Sequence, residues 1–376
     1  MPNLYHLSIV FLILLAASCV PAEPGGNAPT PEPGERSAYV MTSDYSDSIV
    51  ARVDLDSGEA HDGLVAFPAG DMVLTAEGRD IYLLSRSGED VIRRYPDGDF
   101  SQAPDLEVST GAGSNPHDLS LCGDRLWVSL YNHSHLIALD PTSGDLLQTV
   151  DLHEFDEGED DSCEPSSIVR AEGSLFVALE RFDLHNLRAD PQGRILELSC
   201  EDGSVLNQWN TGPSPQIQED PRQDGTLLVK EGDFYTVDGA VRTLQPATGE
   251  FSAALLSEAE LDADLGGLTA SADHLVASSW AFGATPSLSA LHCFERKTEE
   301  LLPGPAGLSQ NLWHLRSSPN GDVWATLSPS AAEPGAEHGI MIIDPVTCSA
   351  AQKGLTSFLL PPTHIVFVES EEVELR

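Results

Sequence analysis

The most constraining feature of this 376-residue chain is an internal repeat, because self-similarity at a regular period indicates the whole architecture. Each copy has a short apolar segment, a turn containing Gly or Asp, and a second apolar segment rich in aromatic and β-branched residues. This order predicts a β-hairpin. The copies span residues 71–82, 115–130, 164–178, 225–237, 267–277 and 314–325.

A third strand and a polar turn follow the hairpins, for example at residues 136–147 and 340–347. The turn markers fall near residues 58, 98, 144, 203, 249, 298 and 347, at intervals of 40 to 59 residues. A period in the forties with four strands per unit is typical of a propeller blade. The segments alternate with a period of two, whereas helical repeats would place apolar residues three and four apart.

Seven turn markers predict an all-β fold, namely a seven-bladed β-propeller, and we prefer this count to six or eight blades. Blade one begins at Ser37 directly on a second strand, without an inner strand before it. The missing strand is expected at residues 362–368, which match the start of the other copies. This C-terminal strand would complete blade one and close the ring, which removes an exposed sheet edge. We assign residues 37–376 to a single propeller domain.

The repeats resemble the YVTN-type repeat family of β-propellers, in which an apolar strand ending in Asp is followed by a Thr-Gly turn. Residues 39–42 (YVMT), 54–58 (DLDSG) and 140–144 (DPTSG) carry the likeness, which covers nearly all of residues 37–368. The resemblance implies the propeller fold. It does not specify a function, because propellers include binding modules and enzymes alike.

The formal net charge of −41, from 19 Lys and Arg against 60 Asp and Glu, excludes two classes of partner. A nucleic-acid-binding protein needs a basic patch, and so does a protein that binds anionic lipid head groups by charge. We therefore expect no nucleic acid, and membrane contact only through an N-terminal lipid. High negative charge also discourages association, so we expect a monomer.

The first 18 residues are typical of a signal peptide, because the apolar run at 7–17 is too short for a stable membrane span. Small residues before Cys19 resemble a bacterial lipobox, which implies that Cys19 is lipidated. Residues 19–36, rich in Pro, Gly and Glu, are expected to form an extended tether. The predicted location is periplasmic or anchored to the outer membrane. The alternative is an ordinary secretory signal with an incidental cysteine, which also exports the chain.

One face of the predicted propeller carries the candidate ligand-binding residues. In a four-stranded blade, the loop entering the inner strand and the loop between the second and third strands lie on the same face. Aligning the inner strands places polar side chains of several blades at the mouth of the central channel, and the loops of that face add further candidates. The predicted face consists of His117, Asp118, His133, His135, Ser166, His185, Trp280, Trp313, His314 and His364.

The sequence offers two candidate metal sites, each with an alternative interpretation. His117, His314 and His364 come from separate strands, and converging imidazoles can bind a transition metal such as Zn or Cu. The alternative is a polar channel lining hydrogen-bonded to water, since lone His residues rarely mark metal sites. Residues 154–164 have enough carboxylates for Ca²⁺ but lack the register of a calcium loop, so we favour a solvated acidic loop.

Five cysteines follow Cys19, and an exported chain can form disulfides. Because five is odd, at least one cysteine is expected to be unpaired within the chain. Cys122 and Cys200 map to loops on the same face of adjacent blades, so they are the predicted pair.

The function that these patterns favour is a non-catalytic binding platform. The sequence has no nucleophile elbow, phosphate loop or dinucleotide fingerprint, so no catalytic residue is assigned. We expect an exported lipoprotein whose loop face binds a protein or a small molecule. The alternatives are an enzyme of the lyase or lactonase type and a metal-binding protein that uses the channel-mouth His residues. Residues 116–118 (PHD) are similar to the Pro-His-Gly motif of streptogramin-lyase propellers, with Asp in place of Gly.

Overall fold

An Asp side chain builds the turn between the third and fourth strands of a blade. Asp140 Oδ1 accepts the backbone N–H groups of Thr142 and Ser143, both at 2.8 Å. Gly144 closes the turn with φ of 74°, a left-handed conformation that glycine adopts without strain. Asp54 makes the same pair of bonds in blade one. The repeated Asp-to-Gly spacing in the sequence is therefore a turn requirement.

The computed structural model describes residues 36–156, 162–183, 188–233, 236–280, 288–330, 333–351 and 358–369. These residues form seven antiparallel blade sheets and one small two-stranded sheet, and the predicted seven-bladed β-propeller is confirmed. Within these ranges, no helix is long and apolar enough to cross a membrane. The signal peptide, Cys19, residues 20–35 of the tether and His185 lie outside the described residues, as do residues 157–161 of the acidic run. Arg36, which the sequence assigns to the tether, instead begins a strand of blade one.

The first four blades each have four strands, which are ordered from the channel outward. Blade one consists of Pro362–Glu369, Arg36–Ser43, Ser48–Asp54 and Ala60–Phe67. Blade two consists of Met72–Glu77, Asp80–Ser85, Val91–Tyr95 and Leu106–Ser109. Blade three consists of Pro116–Cys122, Arg125–Leu130, His135–Leu139 and Leu146–Asp151. Blade four consists of Pro165–Ala171, Ser174–Leu179, Arg194–Ser199 and Val205–Asn210.

Blade six also has four strands, whereas blades five and seven are less regular. Blade five consists of Gln216–Glu219, Leu227–Glu231, Ala240–Gln245 and Glu250–Phe251, with Leu256–Ser257 also pairing with its third strand. Blade six consists of Asp264–Ala270, His274–Trp280, Ser289–Glu295 and Glu300–Leu308. Blade seven has a divided inner strand and consists of Gln310–Asn311, Leu315–Ser317, Val323–Pro329, Gly339–Asp344 and Ser349–Ala350.

A few short elements lie outside the blade ladders. Phe182–Asp183 pairs with Arg188–Ala189 in the long connection of blade four. Two 3₁₀ turns, Pro96–Gly98 and His153–Phe155, follow strands of blades two and three, and one short α-helix covers Glu258–Leu261.

The hydrophobic core is divided into layers between neighbouring blades. Among the described residues, seven buried clusters occur, one for each pair of adjacent blades around the ring. Trp127 of blade three, for example, packs with Leu196 of blade four. The cluster between blades seven and one joins Trp324 to Ile365 of the C-terminal strand. Strand Pro362–Glu369 pairs antiparallel with Arg36–Ser43, so the predicted closure of the ring by this strand is confirmed.

The inner strand of blade five differs from the sequence prediction. The repeat pattern predicts both the inner and the second strand within residues 225–237, but Leu227–Glu231 is the second strand and Gln216–Glu219 is the inner one. The inner segment reads Gln-Ile-Gln-Glu, in which Ile217 alone is buried. A short strand beside a polar channel needs few apolar residues, so it leaves no hydrophobic signal.

Two disulfides join adjacent blades. Cys122 pairs with Cys200, as the sequence indicates, and links blades three and four. Cys293 pairs with Cys348 and links blades six and seven, which the sequence does not indicate. Cys163 is a free, buried thiol, and burial raises its pKa above the usual value.

Candidate functional site

The central channel contains two chambers. The upper chamber lies where the inner strands begin, has a volume of about 270 Å³, and is lined by polar residues including Ser166 and Gln216. The lower chamber lies where the inner strands end and has a volume of about 640 Å³. Thr75, Asp118, Ile217 and Arg316 line both chambers, so we call these residues the waist of the channel.

Bulges at the start of the inner strands turn side chains toward the upper chamber. The ladder of blade three skips from Pro116 to Leu119, and that of blade four skips from Pro165 to Ile168. The extra residue of a bulge is left out of the regular strand pairing, and the direction of its side chain changes. The skipped residues are His117, Asp118, Ser166 and Ser167, all of which line the upper chamber.

Hydroxyl groups on second strands hold these bulges in place. Ser129 Oγ donates to the carbonyl of Ser166 in the next blade at 2.6 Å, and it accepts the Asp118 N–H at 3.0 Å. Ser278 Oγ donates in the same way to the carbonyl of Leu312 in blade seven at 2.8 Å. These hydroxyls are not identified from the sequence, although both lie in a repeated position near the end of the second strand.

Three predicted imidazoles come together in the upper chamber. The ring centroids of His314 and His364 lie 5.1 Å apart, and His117 stacks on Tyr131 at 4.6 Å. The Ile365 N–H donates to His314 Nδ1 at 3.2 Å, which leaves the proton of the neutral ring on Nε2. His117 Nδ1 is buried and has no hydrogen-bond partner in the described part of the chain.

The three imidazoles are uncharged at neutral pH. Burial and the nearby Arg86 guanidinium lower the pKa of His117 to about 3. Burial and Arg316 likewise lower the pKa of His314 to about 3. Burial, with a smaller contribution from His314, places the pKa of His364 well below its usual value. The rings can therefore act as neutral donors and acceptors, because the enclosed channel disfavours their protonated forms.

These three imidazoles do not form the tightest potential ligand cluster. In the described ranges, one group of three His, Cys, Asp or Glu residues has ligand atoms that all lie within 4.8 Å of one another, and it consists of His135, Asp151 and His153. A metal at His117, His314 and His364 stays a prediction.

Asp118 and Arg316 bring opposite charges to the waist. Asp118 accepts the N–H groups of Leu119 and Ile168 at 2.9 and 3.0 Å. Burial nevertheless raises its pKa to about 6, although these bonds and Arg316 act in the opposite direction. Asp118 is therefore a carboxylate that exchanges its proton close to neutral pH.

Arg316 is the least satisfied charged group of the waist. Its side chain is exposed to the channel lumen but enclosed by the surrounding blades, and this desolvation lowers the pKa of its guanidinium. No carboxylate of the described chain lies within 4.0 Å of it, and it makes no hydrogen bond there. By contrast, Arg86 is paired with Asp71 at 2.5 Å. Arginine remains protonated in proteins, so Arg316 offers unused donors.

The buried Glu180 is satisfied by its neighbours. The Tyr131 hydroxyl donates to Glu180 Oε2 at 3.0 Å, and burial raises the pKa of this carboxyl group. Tyr131 in turn stacks on His117, so the pair supports the wall of the upper chamber.

The lower chamber is acidic. Its charged lining includes Glu77, Glu219 and Asp224, against Arg170 and Arg316. Arg170 is exposed and makes no ion pair or hydrogen bond within the described ranges. The channel therefore changes from a lining with neutral imidazoles at the top to a lining rich in carboxylates at the bottom, with Arg316 at the waist between them.

The other predicted site residues lie away from the chambers. Trp280 and Trp313 contact each other edge to face at 5.6 Å on the upper side of blades six and seven, but they do not line the upper chamber. His133 and His135 lie at the outer rim of blade three, with ring centroids 6.5 Å apart. Of the predicted face, five residues therefore line the upper chamber, and these four lie away from it.

Sequence reasoning misses Arg316, whose guanidinium makes no ion pair or hydrogen bond in the described part of the chain. A signal is present, because Arg316 follows His314 by two positions at the start of the inner strand Leu315–Ser317, and both residues line the upper chamber. The predicted residues Asp118, His117, Ser166, His314 and His364 do line the upper chamber.

Comparisons with known proteins identify the fold and no family. No protein-family model and no curated protein matches the sequence. A putative 6-phosphogluconolactonase from Bacteroides fragilis is similar in structure, with a TM-score of 0.63 and 14% identity over 91% of this chain and 100% of that chain. The dihydro-heme d1 dehydrogenase NirN has a TM-score of 0.54 and 16% identity, covering 85% of this chain and 64% of that chain. A streptogramin B lyase has a TM-score of 0.51 and 15% identity, covering 77% and 90%.

Proposed function

We propose that this protein binds a small polar anion in the upper chamber of its channel and does not transform it. The observation that carries the proposal is the Arg316 guanidinium, which is enclosed at the waist without a carboxylate partner in the described part of the chain. An anionic group that reaches the waist gains charge-assisted hydrogen bonds in an enclosed site, where they are strong.

The residues around Arg316 favour anion binding in the upper chamber over the lower one. The upper chamber offers neutral imidazoles at His314 and His364 and the amide of Gln216. The lower chamber presents several carboxylates, which repel an anion. A volume of about 270 Å³ suits a small molecule with one carboxylate or phosphate group and a hydroxylated body.

A non-catalytic role is favoured by the bonding of the chamber hydroxyls. Ser166 Oγ donates to the Ala178 carbonyl at 3.4 Å, and Ser167 Oγ accepts the Ile217 N–H at 3.0 Å. A nucleophilic serine instead needs a general base within hydrogen-bond reach.

An enzyme is the second candidate. Asp118, with its pKa raised to about 6, has the property expected of a general acid or base. The names of two similar structures, a putative lactonase and a streptogramin B lyase, agree with this alternative. Turnover of any ligand offered to the protein would replace the first proposal with this one.

Replacing Arg316 by Met is expected to weaken anion binding about 10- to 100-fold, because a hydrogen bond to a charged group contributes about 1.5–3 kcal/mol. Calorimetry with gluconate, citrate, glucose 6-phosphate and inorganic phosphate tests this, with glucose and choline as neutral and cationic comparisons. Arg170→Met is the matched control, because Arg170 is also unpaired in the described ranges but lines only the lower chamber. Equal losses in both variants, or no anion binding by the natural protein, would contradict the proposal.

Asp118 supplies a second readout for the same titrations. Its raised pKa means that lowering the pH from 7.5 to 5 neutralises the carboxylate and removes its repulsion of an anion. Affinity for gluconate, whose own carboxyl group stays ionised, should therefore rise as the pH falls through about 6. His117 and His314, with pKa values of about 3, stay neutral over this range. Asp118→Asn should abolish the pH dependence.

We also propose that the chain is exported and anchored by a lipid on Cys19. The support is the apolar run at residues 7–17 followed by small residues and cysteine. Mass spectrometry of the mature N-terminus is expected to find an acylated Cys19. An unacylated mature terminus would refute the anchor without affecting the channel proposal.

A further inference from the structure

A second candidate site lies at the outer rim of blade three, away from both chambers. It consists of His135, Asp151 and His153, whose ligand atoms lie within 4.8 Å of one another. The ring centroids of His135 and His153 are 4.9 Å apart, nearly edge to face. We call these three residues the rim cluster.

Regular secondary structure holds two members of the rim cluster together. His135 begins the third strand of blade three and Asp151 ends the fourth, and they are direct partners in the antiparallel ladder. Side chains at such opposed positions point to the same face of the sheet with about 4.5–5.5 Å between their Cβ atoms. Their proximity therefore follows from the register of the blade.

The third member is positioned by a short turn with a buried anchor. His153 begins the 3₁₀ turn His153–Phe155, and the flanking Leu152 and Phe155 are buried in the core between blades three and four. The backbone N–H of His153 donates to Asp151 Oδ1 at 2.9 Å. The His153 ring remains exposed, so the cluster is open to solvent on one side.

The side chains of Asp151 and His153 already face each other. His153 Nδ1 lies 2.7 Å from Asp151 Oδ1. Bonds of about 2.0–2.2 Å to a tetrahedral ion separate neighbouring ligand atoms by about 3.3 Å, so small side-chain rotations would admit one. The exposed His133 lies near the cluster, with its ring centroid 6.5 Å from that of His135.

We propose that the rim cluster is a binding site for a first-row divalent transition-metal ion, with two nitrogen ligands and one oxygen ligand. Imidazole and carboxylate ligands suit Zn²⁺, whereas Ca²⁺ takes oxygen ligands. Glu154 within the 3₁₀ turn and Asp156 directly after it add negative charge, on a chain whose net charge is −41. This charge raises the local concentration of cations.

The rim cluster lies where a bound ion would stabilise the connection between two blades. It joins the end of blade three to the chain that leads into blade four. A bound ion would link these two segments and stabilise the connection between the blades, because an ion that binds only the folded state shifts unfolding to higher temperature. The proposal does not depend on a ligand in the channel, since none of the three residues lines either chamber.

Calorimetric titration of chelator-treated protein with Zn²⁺ tests the proposal. One equivalent is expected to bind with micromolar or tighter affinity and to raise the melting temperature. His153→Ala is expected to weaken binding by more than the roughly 10- to 100-fold effect typical of losing an outer-shell partner, because it removes a direct ligand. His135→Gln should have the same effect, so the result does not depend on one variant.

Two controls locate the ion. His61→Ala removes another surface imidazole beside a carboxylate, since His61 lies 3.9 Å from Glu59, and it should leave Zn²⁺ binding unchanged. His314→Gln removes a channel imidazole and should also leave it unchanged. No binding at 100 µM Zn²⁺, or a loss caused by His314→Gln but not by His153→Ala, would overturn the rim assignment. Circular dichroism of each variant verifies that the fold is retained.

Discussion

Ending the chain after Pro361 is expected to abolish the cooperative folding of the ring. The removed strand, Pro362–Glu369, pairs with Arg36–Ser43, seven of whose eight residues are buried. Without its partner, that strand becomes a long, apolar sheet edge, which is a template for aggregation. Thermal unfolding monitored by circular dichroism should show no cooperative transition, and the protein should be recovered largely as aggregate.

The size of this destabilisation follows from the apolar side chains that the closing strand buries. Val366 and Val368 belong to the cluster between blades one and two, and Ile365 belongs to the cluster between blades seven and one. Full burial of an aliphatic side chain contributes about 1.5–3 kcal/mol, so these three contribute roughly 5–9 kcal/mol. The total stability of a protein is about 5–15 kcal/mol. The stability lost with the closing strand is therefore comparable to the total stability of the protein.

A chain that ends after Glu369 is the matched control, because it keeps every residue of the closing strand. It should melt cooperatively at nearly the temperature of the full chain. If the chain ending at Pro361 also melts cooperatively within a few degrees of the full chain, the closing strand does not hold the ring together.

The blade pattern could be predicted from the sequence because local chemistry determines it. Turns such as the one at Asp140 need an Asp and a left-handed Gly within five residues, and the strands alternate in hydrophobicity. The pairing of Cys122 with Cys200 followed from the same blade assignment. These features depend on short spacings that repeat around the ring.

The meeting of Arg316 with Asp118 could not be predicted in the same way, because it depends on which residues face each other across the channel. Arg316 and Asp118 meet at the waist although nearly 200 residues separate them in the chain. The inner strand Gln216–Glu219 faces a polar lumen and has no apolar pattern to detect. Predicting the rim cluster would have required the register that pairs His135 with Asp151. An error of one residue in either strand would have placed the two side chains on opposite faces of the sheet.

A buried ion pair between blades five and six has the second largest expected effect. Arg296 Nη1 and Nη2 donate to Asp220 Oδ1 and Oδ2 at 2.5 and 2.6 Å, and both side chains are almost fully buried. Asp220 follows the inner strand of blade five, and Arg296 follows the third strand of blade six. The pair therefore links two blades through contacts 76 residues apart.

Asp220→Ala is expected to destabilise the protein by about 3–5 kcal/mol, because it leaves a buried guanidinium without its carboxylate. Denaturant unfolding should show this loss. Asp97→Ala is the control, since the Arg79–Asp97 pair has similar bonding at 2.8 Å but is largely exposed, and such pairs contribute about 0–1 kcal/mol.

The double variant Asp220→Leu, Arg296→Met distinguishes two contributions to stability. One is the stabilisation by the ion pair, and the other is the destabilisation caused by leaving Arg296 unpaired. Replacing both charges with apolar groups removes the unpaired cation, so stability should recover most of the loss seen in Asp220→Ala. A double variant as unstable as the single one would show that the pair itself stabilises the contact between blades five and six. An Asp220→Ala variant as stable as Asp97→Ala would instead show that Arg296 finds solvent or another partner when its carboxylate is removed.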